Sequence, residues 1–356
     1  MLYWILIVLV VIVVYIRVRK KHKFWDYQPV SRTKMIREGF ISSTVPEPVP
    51  IKSLDTVVTV DPRDRTFRSK FAKFLSLHYV KDYNYDSLYI SWFLEFPYLK
   101  KNNIVTLFKE STLIGSIISK PYDLCIKGKT IQTHYVDMLC VHRNFRNKNY
   151  APTLISQTLK HSFKGNHKAY VYKIERKPLP FNYICKANYY IHPTNADIST
   201  DIYKLRRSTH DDIEYITHLY EKESVKYACF PTFDTDQMKY MCTSRDNVYE
   251  SLVVMEGDVR RGVVMFSINR IHRGHDTIAE LSLVLCEDID YVEVMKGVIQ
   301  YCYRLHIDMV ICINIARNNE FIRAMDFNLG MDVYFHMYNY HLNEHLHPSK
   351  FLFNFM

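Results

Sequence analysis

Glycine is scarce in this 356-residue chain, with nine residues against 28 tyrosines and 20 phenylalanines. Phosphate-cradling loops of the Rossmann or P-loop kind are built from clustered glycines, so that count argues against both. The eight cysteines (125, 140, 185, 229, 242, 286, 302 and 312) form no C-x-x-C and have no closely spaced histidine partners. Several lie inside apolar runs, which reads as buried thiols in a reducing compartment rather than zinc ligands or disulfides. His341, His345 and His347, in "HLNEHLHP", lack a carboxylate or thiol in register, and no metal is expected there. Acid is missing before Asp26, while Arg17, Arg19, Lys20, Lys21 and Lys23 supply half of the +10 net charge. The remainder is only mildly basic, so nucleic acid is not the expected partner.

The chain is hydrophobic enough for a real core, at 48% with 14% aromatic. Its length allows two ordinary domains or one large α/β unit. It opens on an apolar run, "MLYWILIVLVVIVVYI", followed at once by "RVRKKHK". As a helix the run spans about 24 Å, a little less than the ~30 Å hydrocarbon core. Arg17 can snorkel and Val18 adds length. The charges come after the apolar stretch and no small-residue cleavage site appears, so a transmembrane anchor over residues 1–18 is expected rather than a signal peptide. The positive flank holds the rest of the chain in the cytosol, giving a single-pass membrane protein whose folded body faces that side.

Residues 19–52 read as a basic stretch and an extended, proline-punctuated arm. Helices are expected over 65–80, with Phe67, Phe71, Phe74 and Leu75 on one face, and over 85–97, closed by Pro97. Strand signals come next at "IVTLFK", "TLIGSIISKPYDLCI" and "QTHYVDMLCV" (132–141). A helix over 151–164 has Pro152 in its first turn, and a strand is expected at 169–174. A second cycle starts with a capped helix over 208–224. Strand signals recur at "ESLVVME", "RGVVMFSIN" and "IAELSLVLC", then a helix at 291–306, a strand at 307–315, a helix at 319–327 and a strand at 332–342. Two similar α/β units, 53–200 and 201–356, are expected, although no sequence repeat is visible.

Residues 137–152, "DMLCVHRNFRNKNYAP", run from a strand through a basic loop straight into a helix. Unpaired N–H groups and the positive end of a helix dipole converge at such a place, which makes it an anion site. A pyrophosphate-bearing cofactor over residues 143–151 and a solvated basic loop fit these residues equally well.

The longer stretch "DMLCVHRNFRNKNYAPTLI" resembles the central motif of the eukaryotic protein N-myristoyltransferases (glycylpeptide N-tetradecanoyltransferases). Leu139, Cys140, Val141, His142, Arg146, Lys148, Ala151 and Pro152 match in unbroken register. "KFWDYQPV" (23–30), "HYVKDYNYDSLYISWFL" (78–94) and the closing "FNLGMDVYFHMYNYHL…FLFNFM" resemble further family segments in the right order. The resemblance is dense around 132–160 and thin from 200 to 300, as in a divergent homologue of the kind a large DNA virus carries.

The resemblance implies an α/β (α+β) protein of two fused acetyltransferase-like (GNAT-type) halves, the first binding myristoyl-CoA and the second the peptide. Myristoyl-CoA would be the acyl-donor substrate with no further cofactor, N-terminal glycine peptides or proteins the acceptors, and the protein a monomer. The glycine amine would attack the thioester directly, with no acyl-enzyme. Backbone N–H groups of Met138 and Leu139 would form the oxyanion hole, and the terminal carboxylate at Met356 would take the amine's proton. The phosphates and pantetheine would lie on Arg146, Asn147, Lys148, Asn149, Tyr150 and Ala151, beside Cys140 and Val141. Lys23, Phe24 and Trp25 would close over the nucleotide end. Asn147 and Asn149 stand where the family has serine and arginine. Its acidic run after Asn-Tyr-Val shrinks to "KDYNYD", and its Thr-Ala-Gly stretch becomes Lys173, Ile174 and Glu175. This pattern suggests an intact acyl-CoA half and an altered peptide half. The alternative is a catalytically silent acyl-CoA-binding homologue, or an acyltransferase with a different amine acceptor.

Overall fold

The computed structural model describes residues 24–32, 37–44, 47, 49–51, 55–79, 83–163, 168–198, 200–271 and 276–355. The expected membrane span over residues 1–18, Lys23 and Met356 lie outside the described residues. Among those described, no helix is long and apolar enough to cross a membrane.

Apolar spacing and carboxylate caps set the helices. α1 (Arg65–His78) buries Phe67, Phe71, Phe74 and Leu75, and starts where Asp64 accepts from the N–H groups of Thr66 and Phe67. Such a cap contributes about 1 kcal/mol. α2 (Ser87–Leu94) starts in the same way on Asp86. The remaining helices are α3 (Tyr150–Phe163), α4 (Ile213–Ser224), α5 (Thr235–Met241), α6 (Tyr291–Arg304) and α7 (Asn319–Ala324). The strands of the first half are β1 (Gly39–Phe40), β2 (Asp55–Thr59), β3 (Tyr83–Asn84), β4 (Ile104–Lys109), β5 (Thr112–Ile126), β6 (Lys129–Val141), β7 (Ala169–Glu175) and β8 (Tyr183–Pro193). Those of the second are β9 (Lys204–Arg207), β10 (Cys229–Thr232), β11 (Tyr249–Glu256), β12 (Val259–Ile271), β13 (Thr277–Cys286), β14 (Met309–Ile313), β15 (Asn328–Tyr338) and β16 (Tyr340–His341).

One sheet runs in the order β2-β4-β5-β6-β7-β15-β8-β14-β13-β12-β11-β9. Two of its pairs are parallel, β6 with β7 and β13 with β14, and the others are antiparallel. Parallel neighbours need a crossover, supplied here by α3 and α6. Each half therefore presents three antiparallel strands, a crossover helix and a parallel fourth strand. The sheet is continuous between them, because β15 pairs with both β7 and β8, and β8 pairs with β14. α3 lies close against β5 at Gly115, where a Cβ would stand 2.8 Å from the Leu154 side chain. All eight cysteines are buried free thiols.

The carboxyl-terminal segment, Phe351 to Phe355, is buried. It enters where β13 and β14 part. Leu352 N–H donates to Cys229 O at 3.0 Å, and Asn354 N–H to Ser282 O at 3.1 Å.

Candidate active site

β6 and β7 pair only from Thr133–Ala169 to Val136–Tyr172. Beyond that point they diverge, β6 staying with β5 and β7 with β15. β6 carries a bulge at the divergence. Its register on β5 passes from Asp137–Ile118 to Cys140–Ser116, so Met138 and Leu139 face the single residue Ile117. Met138 has a φ of 51°, a left-handed conformation that costs such a residue about 1–2 kcal/mol. Two hydrogen bonds hold it there. Its N–H donates to Asp137 Oδ1 at 2.6 Å, and its carbonyl accepts from Ser116 Oγ at 3.1 Å. A bulge lifts backbone donors out of the ladder, as an oxyanion-binding pair requires.

The strand continues into the basic loop. Asn147 and Asn149 have φ of 60° and 66°. Asparagine visits that region more readily than most L-residues, so the loop turns twice without glycine. Asn147, Lys148 and Asn149 are exposed, Tyr150 is buried and Ala151 half-buried. α3 then begins, and its first-turn N–H groups have no partners within the helix. Arg143 and Arg146 donate to the Leu77 and His78 carbonyls at the end of α1, and Arg146 also to Val141 O at 3.2 Å. Lys148 bonds Asn144 O at 3.2 Å. These bonds fold the cations over the loop and place their charge at the negative end of α1. The His78 and His142 rings lie 3.9 Å apart, tilted by 36°. Burial, then His142, Arg143 and Arg146, push His78 down to about 4, and burial with the same arginines lowers His142.

Phe24 and Trp25 pack edge-on at 4.9 Å, and Trp25 lies 4.9 Å from Phe181. Both belong to the same apolar cluster as Tyr150, Leu154 and Tyr172, and Trp25 lies 6.3 Å from the Tyr172 ring. Val141 is half-buried at the end of β6. Burial holds the Cys140 thiol at about 12, which leaves little thiolate for nucleophilic work at neutral pH.

On the opposite face of β6 lies a cavity of about 40 Å³, lined by Tyr79, Tyr85, Asp137, Lys173, Glu175 and Glu280 among others. Lys173 is the first residue of β7 past its last pair with β6, so it faces Asp137 across the divergence. Glu280 stands at the corresponding divergence of the second half, but on the strand before the crossover, as the last residue of β13 paired with β14. Lys173 Nζ and Glu280 Oε1 are 3.2 Å apart, with side chains 12% and 10% exposed. Lys173 also donates to Asn354 Oδ1 at 3.1 Å and to Phe355 O at 3.0 Å. Asn354 Nδ2 and Tyr189 Oη each donate to Glu280 Oε1 at 2.9 Å. Burial pulls the Lys173 ammonium down, but Glu280, Glu175 and Asp137 outweigh it and its pKa is raised. Burial likewise raises the Glu280 carboxyl, yet Lys173, Asn354 and Tyr189 bring it below its ordinary value. The Phe355 ring stacks on Tyr135 at 5.0 Å. Lys120, opposite Tyr135 on β5, lies 3.3 Å from the Phe93 ring, and burial lowers it to about 7 against the pull of Asp137.

The structure thus brings Met138, Leu139, Cys140, Val141 and the 146–151 loop along one strand and its adjoining turn, with Phe24, Trp25 and Tyr150 in one apolar cluster. Asp137, Glu280 and Asn354 carry no sequence signal of a site, except that Glu280 is a charge inside the apolar run "IAELSLVLC". His341 pairs with Ser31 Oγ, His345 with Tyr183 O and His347 with Ser349 Oγ. Among the described residues no group of three or more His, Cys, Asp or Glu is placed to hold a metal.

Residues 37–173 match the family described as myristoyl-CoA:protein N-myristoyltransferase, N-terminal domain. The glycylpeptide N-tetradecanoyltransferase of Kluyveromyces lactis is 24% identical over 289 residues, 70% of this chain and 65% of that protein's length. The crystal structure of Saccharomyces cerevisiae N-myristoyltransferase with bound myristoyl-CoA superposes with a TM-score of 0.82 at 19% identity, over 91% of this chain and 93% of that one. A GCN5-related N-acetyltransferase from Anabaena variabilis superposes with a TM-score of 0.53 at 12% identity, over 80% of this chain and 72% of that one. At such identities the two structures speak for the fold, a mixed α/β acetyltransferase-like architecture. Over residues 37–173 the chain is similar to the N-terminal domain of the myristoyl-CoA:protein N-myristoyltransferases.

Proposed function

We propose that this protein transfers myristate from myristoyl-CoA to the N-terminal glycine amine of peptides or proteins. The observation that carries the reading is the bulge at Met138 and Leu139, set where β6 and β7 diverge and continuing directly into the basic loop and α3. In this reading the CoA phosphates lie on the 146–151 loop and first-turn N–H groups, with Lys23, Phe24 and Trp25 over the nucleotide. The thioester reaches the divergence. Its oxygen displaces Asp137 from the Met138 N–H and gains charge between that group and the Leu139 N–H. Each such donor is worth roughly 3–4 kcal/mol of barrier.

An ammonium is not a nucleophile, so the acceptor must first give up a proton. The proposed base is the terminal carboxylate at Met356, whose neighbour Phe355 packs against Tyr135 beside the cavity. The freed amine attacks the thioester carbon, the C–S bond breaks, and the CoA thiolate takes up the second proton of the amine nitrogen. The proposal extends to a first half that binds acyl-CoA, a second that binds peptide, and a monomer held by residues 1–18 with its body in the cytosol.

Incubating the full chain in detergent with myristoyl-CoA and a panel of glycine-starting octapeptides should give peptide heavier by one myristoyl group by mass spectrometry. A second reading, acyl-CoA binding without transfer, draws on Lys173, whose ammonium already stands on the cavity wall opposite Asp137. Binding of myristoyl-CoA with no product across the panel selects that reading. Acylation of lysine peptides alone selects a different amine acceptor.

A further inference from the structure

We propose that Lys173 is a positioning residue of this site, fastening the carboxyl-terminal segment to the point where β6 and β7 diverge. The inference rests on the transferase reading above. Two divergences lie in the sheet, one in each half, and they hold different things. The first, between β6 and β7, has the bulge of Met138 and Leu139 on one of its strands. The second, between β13 and β14, is filled by the chain's own residues 351–355, through Asn354 N–H to Ser282 O and Asn354 Nδ2 to Leu281 O at 3.1 Å each.

Lys173 and Glu280 stand at the two branch points, and their ion pair is the link between them. Asn354 sits between the partners, accepting from Lys173 and donating to Glu280. The Lys173 ammonium then reaches one residue further along the main chain, to Phe355 O. One side chain thereby sets the distance from the buried end of the chain to the bulge. Packing alone does not explain the pair, since apolar residues of similar volume commonly replace a buried ion pair without loss of stability.

The test uses the full chain with Lys173→Met, which keeps length and loses the donor. The variant Lys173→Met with Glu280→Gln covers a misfolded single variant, because glutamine still accepts from Asn354 and Tyr189. Amide hydrogen exchange at 352–355 should accelerate about tenfold to a hundredfold, as expected when a hydrogen bond to a charged group is lost. With glycine peptide, kcat should fall by a similar factor while Kd for myristoyl-CoA moves less than about twofold. Lys173→Arg, which keeps a donor, should recover part of kcat. A kcat that is kept or rises, a Kd that rises in step with the fall in kcat, or unchanged exchange would overturn the assignment. If the parent chain itself gives no product, the transferase reading fails, and exchange at 352–355 still decides whether Lys173 holds the segment.

Discussion

Replacing Asn147 and Asn149 together by alanine isolates the backbone's share of the anion loop. The two residues have φ of 60° and 66° and exposed side chains, so alanine removes little packing. Alanine in the left-handed region is disfavoured by about 1 kcal/mol relative to a residue that tolerates it, and two such positions reach about 2 kcal/mol. An exposed loop relaxes from the costly conformation when nothing is bound, so the penalty falls on binding. About 2 kcal/mol corresponds to roughly a thirtyfold rise in Kd for myristoyl-CoA. The matched variant Asn147→Gly with Asn149→Gly adopts the same φ freely and should bind within about twofold of the parent. Isothermal titration with myristoyl-CoA reads both, with the melting temperature of each variant as the control for folding. An alanine variant that binds like the parent refutes the argument. A glycine variant as weak as the alanine one assigns the effect to the asparagine side chains instead.

Arg146→Ala with Lys148→Ala should raise Kd for myristoyl-CoA about tenfold at low salt and flatten its salt dependence, since surface charge is screened. The same variant should melt lower than the parent, because Arg146 also holds the His78 and Val141 carbonyls. Burial lowers His336 to about 4 from an ordinary value of 6.5, against its bond to the Asn182 carbonyl. Its Nε2 accepts from Leu179 N–H at 3.2 Å, as a neutral ring does. The unfolded chain therefore binds this proton first. Stability is full above pH 6.5, falls as pH drops towards 4, and loses nothing more from this group below that. The whole effect is about 3 kcal/mol, readable by urea denaturation at pH 7 and 4.5, and His336→Gln should remove it. Gly262→Ala brings a Cβ to 2.5 Å from Cys286 Sγ and 2.7 Å from Leu285 O. It should destabilise the fold by about 1–3 kcal/mol in the same assay, and an unchanged midpoint would contradict the packing.

Short-range physics made much of this molecule legible. The apolar spacing behind α1, α3 and α6 repeats within a few residues, and each of these helices forms within two residues of its expected ends. The strand, basic loop and helix of 137–152 are also contiguous in the chain, so their order could be placed before any fold was known. Counting glycines argued against glycine-rich loops. It could not show that Asn147 and Asn149 would take the left-handed turns in their place, because φ is set by what the loop must span.

Other features depend on partners far away in sequence. β8 lies between β15 and β14 and is not among the expected strands, although its burial alternates from Cys185 to Tyr190. α5 is short and is not among the expected helices either. Periodicity tells which face of a strand is buried, never which strand lies beside it. The insertion of β15 between β7 and β8 and the bulge that lifts Met138 out of register were therefore decided only on assembly. So was the meeting of Lys173 with Glu280 and Asn354, 107 and 181 residues further along the chain. Local sequence determined the strand, the loop and the helix that would receive an acyl-CoA. The tertiary structure alone brought residues 354 and 355 to β6 and β7, because those contacts join segments far apart in the chain that no local pattern encodes.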